Sequence, residues 1–167
     1  MTSKPNFKRA VKAAYRIRKQ YDTGGVRFDP FIPISVEKRF AVCRYTTYCE
    51  RHGLEIGAFL RSVSSDGFAL RRGSKFIIVY NDAAYIPETR KRFTLAHELG
   101  HCILGHTGEG ENEEAEADCF ARNLLAPRLL ALELDIGFPD YPMAFGISAA
   151  AARMCYRFRE LDEHLAK

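Results

Sequence analysis

The run "RFTLAHELGHCILGH", residues 92–106, carries His97, Glu98 and His101 in the order H-E-x-x-H. Side chains four apart stack on one face of an α-helix. If the two imidazoles act together, this stretch has to be helical. Leu95, Leu99, Cys102 and Ile103 then fall on the opposite face, which can pack on a core while the histidines line a cleft. The pattern predicts a helix opening at Pro87–Glu88 and ending near Leu104. Gly105 and the "TGEGEN" run close it.

Two imidazoles at one point suit a metal such as zinc, which favours nitrogen donors and four-coordinate geometry. Glu98 lies one residue on, about 100° round the helix. That is too far to ligate the same ion, yet within reach of a water beside it, where a general base is needed. The motif is short enough to arise by accident, so a third ligand matters. Metzincins take theirs from a histidine six residues beyond the second motif histidine, with a glycine at plus three. Here those places hold Thr107 and Leu104, while Gly105 and His106 are one residue off. A better source is "NEEAEADCFARNLLAP". On that helix Ala117, Phe120, Ala121, Leu124 and Leu125 define the buried face. Glu114 sits at its edge with Asp118 directly above, Glu116 points almost the other way, and Glu113 has no polar partner one turn on. Glu114 can therefore ligate while Asp118 accepts a hydrogen bond from a ligand histidine and fixes its tautomer. Glu-x-x-x-Asp after H-E-x-x-H is the gluzincin arrangement. His106, Tyr80 and Tyr85 are candidates to contact an oxyanion or the substrate, and the sequence does not choose among them.

The remaining chain predicts basic helix 7–21, a Gly/Pro-broken loop through "GGVRFDPFIPIS", and a helix over 36–52 capped by Ser35 and ended by Gly53. "LEIGAFLRS" reads as a strand, and "GFALRRGSKFIIVYND" as a hairpin turning at Arg72-Gly73-Ser74. Helices follow over 111–126 and 128–134, then a loop through "GFPDYPMAFG", and a helix over 148–165 capped by Ser148. The expectation is one domain over 1–167, α+β and zincin-like. It is mostly helical, with a small, mainly antiparallel sheet before the H-E-x-x-H helix.

With 47% hydrophobic residues a real core is available. A net charge of +4 is too mild to argue for nucleic acid. The basic residues from Lys4 to Lys19 all precede the first acid, Asp22. They read as the solvated face of an amphipathic helix whose Val11, Ala14, Ile17 and Tyr21 turn inward. There is neither a membrane-length apolar run nor a signal-peptide pattern, so a cytoplasmic location and no membrane partner are expected. In that reducing setting Cys43, Cys49, Cys102, Cys119 and Cys155 read as small buried hydrophobes.

"RKRFTLAHELGHCILGH" followed by "EEAEADCFARNLLAP" resembles the ImmA/IrrE family of metallo-endopeptidases, with Ala126 where methionine is usual. The specific motifs cover about residues 76–127. "FGISAAAARMCYRF" is similar to the family's C-terminal helix. The resemblance implies one Zn²⁺ per chain at His97, His101 and Glu114, with Glu98 as catalytic base. It also implies a protein substrate, of which the best-understood example is a helix-turn-helix repressor encoded beside the protease on a phage or other mobile element. No helix-turn-helix or sensor domain is recognisable, which suggests a stand-alone, ImmA-like anti-repressor. Two histidines and a carboxylate would also accept Mn²⁺ or Fe²⁺. The alternative is a non-proteolytic regulator with a structural zinc. It would bind a protein or DNA through the basic N-terminal helix or the segment 148–165, although direct nucleic-acid binding is not expected. Glu98 separates the two readings, since a purely structural site has no use for a base.

Overall fold

The basic segment folds as α1 (Phe7–Gln20), opened by Asn6, whose side chain accepts from the Arg9 N–H. Here and below the structure is a computed structural model that describes residues 4–108 and 110–167. Val11, Ala14 and Ile17 of α1 are buried, as their spacing predicts. Two of its arginines do more than solvate a face. Arg9 donates to the Leu104 carbonyl, and Arg18 donates to the Leu124 carbonyl at 2.9 Å. Both carbonyls lie in last turns of helices described below, where backbone acceptors lack intrahelical donors and the dipole favours a cation.

The loop expected over 24–35 contains α2 (Phe31–Val36), so Ser35 lies inside a helix and donates to the Ile32 carbonyl rather than capping the next one, and the helix expected over 36–52 is instead β1 (Phe40–Arg44) and α3 (Tyr45–His52). Gly53, at φ +63°, ends α3 as expected. "LEIGAFLRS" is not a strand. It forms α4 (Ile56–Ser62), because the Glu55 carboxylate caps the free N–H groups of Gly57 and Ala58. The hairpin forms where predicted, as β2 (Gly67–Arg72) and β3 (Lys75–Tyr80). β3 is central in the order β1-β3-β2. It pairs antiparallel with β2 and parallel with β1, so the sheet is mixed rather than mainly antiparallel.

The long helices are α5 (Glu88–Leu104) and α6 (Glu111–Leu125), with Gly105 ending α5 at φ +67°. Glu109, in their connection, lies outside the described residues. The chain continues through α7 (Arg128–Glu133), a 3₁₀ turn (Phe138–Asp140), α8 (Tyr141–Phe145), α9 (Ala149–Arg157) and α10 (Arg159–Ala166). "GFPDYPMAFG" is thus partly helical, and the single helix expected over 148–165 is broken at Phe158. Ser148 caps α9 through the Ala151 N–H. The architecture is mostly helical α+β.

The sheet lies between two apolar clusters. Ile78 of β3 faces the main core, built from α1, α5, α6 and the C-terminal helices, while Val79 faces Tyr45, Cys49 and Phe59 of α3 and α4. All five cysteines are free and buried. α5 and α6 approach very closely, because a Cβ at Gly100 would stand 2.9 Å from the fully buried Phe120 ring. Gly100→Ala is therefore expected to cost about 1–3 kcal/mol by overpacking. Urea unfolding checks this, and an unchanged midpoint would show that the two helices yield there.

No helix among the described residues is long and apolar enough to cross a membrane.

Candidate metal centre

α5 presents His97 and His101 one turn apart, and the close contact at Gly100 brings the first turn of α6 against them. The His97 and His101 Nε2 atoms stand 3.0 Å apart. The Glu114 carboxylate spans the pair, with Oε2 3.3 Å from His97 Nε2 and Oε1 3.2 Å from His101 Nε2. Donors about 2.0–2.1 Å from one tetrahedral zinc ion stand about 3.3–3.4 Å from each other. The two imidazole nitrogens and the carboxylate, which turns a different oxygen to each ring, are separated by lengths close to this, and the group can hold a metal. The imidazoles are mostly buried while Glu114 is half-exposed, so the site opens on one side.

Each histidine is oriented through its other ring nitrogen. His97 Nδ1 lies 2.9 Å from Asp118 Oδ1. Burial acts to lower the His97 pKa, but the Asp118 hydrogen bond, with the Asp118, Glu98 and Glu114 charges, outweighs it and raises it. His101 is lowered to about 4, by burial first and then by the neighbouring His97 and His106. His101 is therefore neutral near pH 7, the form that ligates metals. Its Nδ1 lies 2.9 Å from His106 Nδ1.

The site lies in a cleft of about 680 Å³ that is also lined by Glu98, His106, Asp118 and Phe93. Gly67, Ala69 and Arg71, alternate residues of the edge strand β2, line its opposite side. The sequence reading did not include this wall, because nothing local marks which strand edge faces a distant helix. Gly67 carried a signal: a Cβ there would stand 2.6 Å from the Thr94 side chain, so only glycine lets β2 lie this close to α5. Tyr80 and Tyr85 are not among the lining residues. Tyr80 is buried against Phe31 in an edge-on contact, and Tyr85 is exposed on the connection before α5. His106 does line the cleft, but both its ring nitrogens are engaged, Nδ1 with His101 and Nε2 with Glu116. Cys102 also borders the cleft. Burial pushes its thiol up to about 12, so it stays protonated and is no nucleophile.

The residues flanking the motif anchor α5. Arg92 donates to the carbonyls of Phe28, Phe145 and Gly146, tying the start of the motif to an N-terminal loop and to the end of α8.

The family model for the IrrE N-terminal-like peptidase domain matches residues 49–134, more than half of the chain and the whole of the cleft's helical wall. This chain belongs to that family. No curated protein and no solved structure matches it. Membership in the IrrE-like peptidases supports a metallopeptidase-type function, and a peptidase implies a protein substrate. The matched span holds α4, the β2–β3 hairpin, α5 and α6, so it includes both walls of the cleft.

Proposed function

We propose that this protein is a zinc-dependent endopeptidase of the IrrE-like family and that it cleaves a helix-turn-helix transcriptional repressor. In this reading His97, His101 and Glu114 hold one Zn²⁺, Asp118 orients His97, and Glu98 is the general base. The observation that carries the reading is two imidazole nitrogens 3.0 Å apart with the Glu114 carboxylate across both, and a further glutamate, Glu98, in the same open cleft.

When bound, the ion polarises the scissile carbonyl and makes water more acidic. Glu98 accepts the proton of the attacking water and delivers it to the leaving amine. Asp118 accepts from His97 Nδ1–H, which holds that ring's Nε2 lone pair toward the site. The edge strand β2 supports an extended polypeptide as substrate. Its outer edge offers backbone N–H and C=O groups that a peptide can pair with, and the cleft runs along it. Phe76 and Phe93 offer apolar contact to the side chains of such a peptide. The repressor as substrate follows from the resemblance of the motif run to ImmA-like proteases.

The test compares protein N-termini across cells that express the wild type or Glu98→Gln. A new N-terminus found only with the wild type, inside a helix-turn-helix repressor, is the expected result. Identical N-termini from two metal-loaded proteins would favour a regulator that binds its partner and uses the metal structurally.

A further inference from the structure

The two metal-facing imidazoles have unlike supports. His97 meets a carboxylate directly. His101 meets a second imidazole, and that imidazole meets the carboxylate: His106 Nε2 lies 3.2 Å from Glu116 Oε2. The other oxygen, Glu116 Oε1, accepts the backbone N–H of Asn6 at 2.7 Å, at the start of α1. The His106 and Glu116 side chains are only 6% and 12% exposed, and the proposed hydrolysis uses neither. A buried imidazole–carboxylate pair reaching a ligand histidine calls for a role.

We propose that Glu116 and His106 are positioning residues, a relay that sets the tautomer of His101 and so makes its Nε2 a metal ligand. The inference rests on the metal-site reading above. Its logic is a count of hydrogens. An ionised carboxylate only accepts, so the His106 hydrogen facing it sits on Nε2. In the neutral imidazole, the Nδ1 atom of His106 is then a bare lone pair. His101 Nδ1, 2.9 Å away, has to supply the one hydrogen between the two rings. That leaves His101 Nε2 without a hydrogen, aimed at His97 Nε2 and Glu114. A carboxylate two rings away from the metal thereby fixes the ligand form, and the Asn6 N–H holds that carboxylate in place.

Glu116→Gln tests the relay because it nearly preserves shape and reverses the hydrogen order. The Asn6 N–H still needs an acceptor, so the amide oxygen faces Asn6 and the amide N–H faces His106 Nε2. His106 then carries its hydrogen on Nδ1 and donates to His101 Nδ1, and the His101 hydrogen moves to Nε2, where it blocks ligation. Zn²⁺ affinity is measured by competition with a chromogenic chelator for wild type, Glu116→Gln and Glu116→Ala, alongside thermal unfolding of each metal-free protein. Glu116→Gln is expected to weaken zinc binding about 10- to 100-fold, at least as much as Glu116→Ala, while unfolding near the wild-type temperature. A packing role gives the reverse order, with Gln harmless and Ala harmful. A Glu116→Gln affinity within twofold of a tightly binding wild type overturns the relay alone. A wild type that takes up no zinc overturns the metal site and the relay with it. Long-range ¹H–¹⁵N spectra of the zinc-loaded wild type give a measurement independent of any variant. His106 is expected as the Nε2–H tautomer, and an Nδ1–H signature there would refute the relay.

Discussion

Purified Glu98→Gln protein is expected to take up metal as the wild type does and to hydrolyse peptide about 10²- to 10⁴-fold more slowly. The change keeps the volume of the side chain and removes its ability to accept a proton. Glu98 follows His97 on α5 and lines the same cleft, but it is not part of the His97, His101 and Glu114 group that can hold a metal. Metal content and reaction rate should therefore separate. His97→Ala provides the contrast, because it removes a donor and both readouts should fall together. Turnover of Glu98→Gln within several-fold of wild type, measured on the same metal-loaded preparations, would exclude Glu98 as the base. Loss of metal from Glu98→Gln would instead mean that the glutamate holds the ion.

The largest stability effect is expected at Asp162. This carboxylate and Arg122 form a two-pronged ion pair, at 2.7 and 2.9 Å, with each side chain only 4% exposed. Arg122 also lies 4.4 Å from the centre of the Phe158 ring, at the break between α9 and α10. The pair thus ties the C-terminal helix to α6, the helix that carries Glu114. Asp162→Ala strands a buried guanidinium, which costs about 3–5 kcal/mol. For a chain of this size that lowers Tm by roughly 6–20 °C. Pairing Asp162→Leu with Arg122→Met should recover most of the loss, since a well-packed apolar pair often replaces a buried ion pair at little cost. Calorimetry on the single and double variants decides the matter. A single variant that melts within 2–3 °C of wild type, about 1 kcal/mol at this size, would mean that water reaches Arg122 once the partner is gone.

The elements the sequence predicted well are those with strong local signals. α5 and α6 carry a helical stripe with a glycine or proline at the end, and their limits agree with expectation to within a residue or two. The hairpin turns at Gly73, where φ is +62°. The misread elements depend on partners distant in sequence or on an uncommon cap. Residues 40–44 have apolar side chains that fit either a helix or a strand, and parallel pairing with β3 decides for the strand. α4 depends on a glutamate as its cap, a weaker signal than serine or aspartate. Among the site residues, His97, His101 and Glu114 converge because helix periodicity sets their faces. Periodicity along α6 turns Glu116 almost opposite to Glu114, away from the edge of the buried face. The structure instead buries it, bonded to His106 and Asn6, because α1 and the end of α5 cover that side of α6.

What the sequence alone determined about this protein is therefore what spacing along one helix can express: two imidazoles on one face of α5, a glutamate beside them, and on α6 a carboxylate with a second one turn on. Only the tertiary structure decided how those faces meet. The depth of the Gly100–Phe120 contact sets the distances among the three donors. The edge of β2 becomes the second wall of the cleft, and α1 brings the Asn6 N–H to the carboxylate behind His106. The physical reason is that periodicity fixes the direction of a side chain about its own axis. The atom it meets depends on packing between elements far apart in the chain, where burial and hydrogen bonding act together.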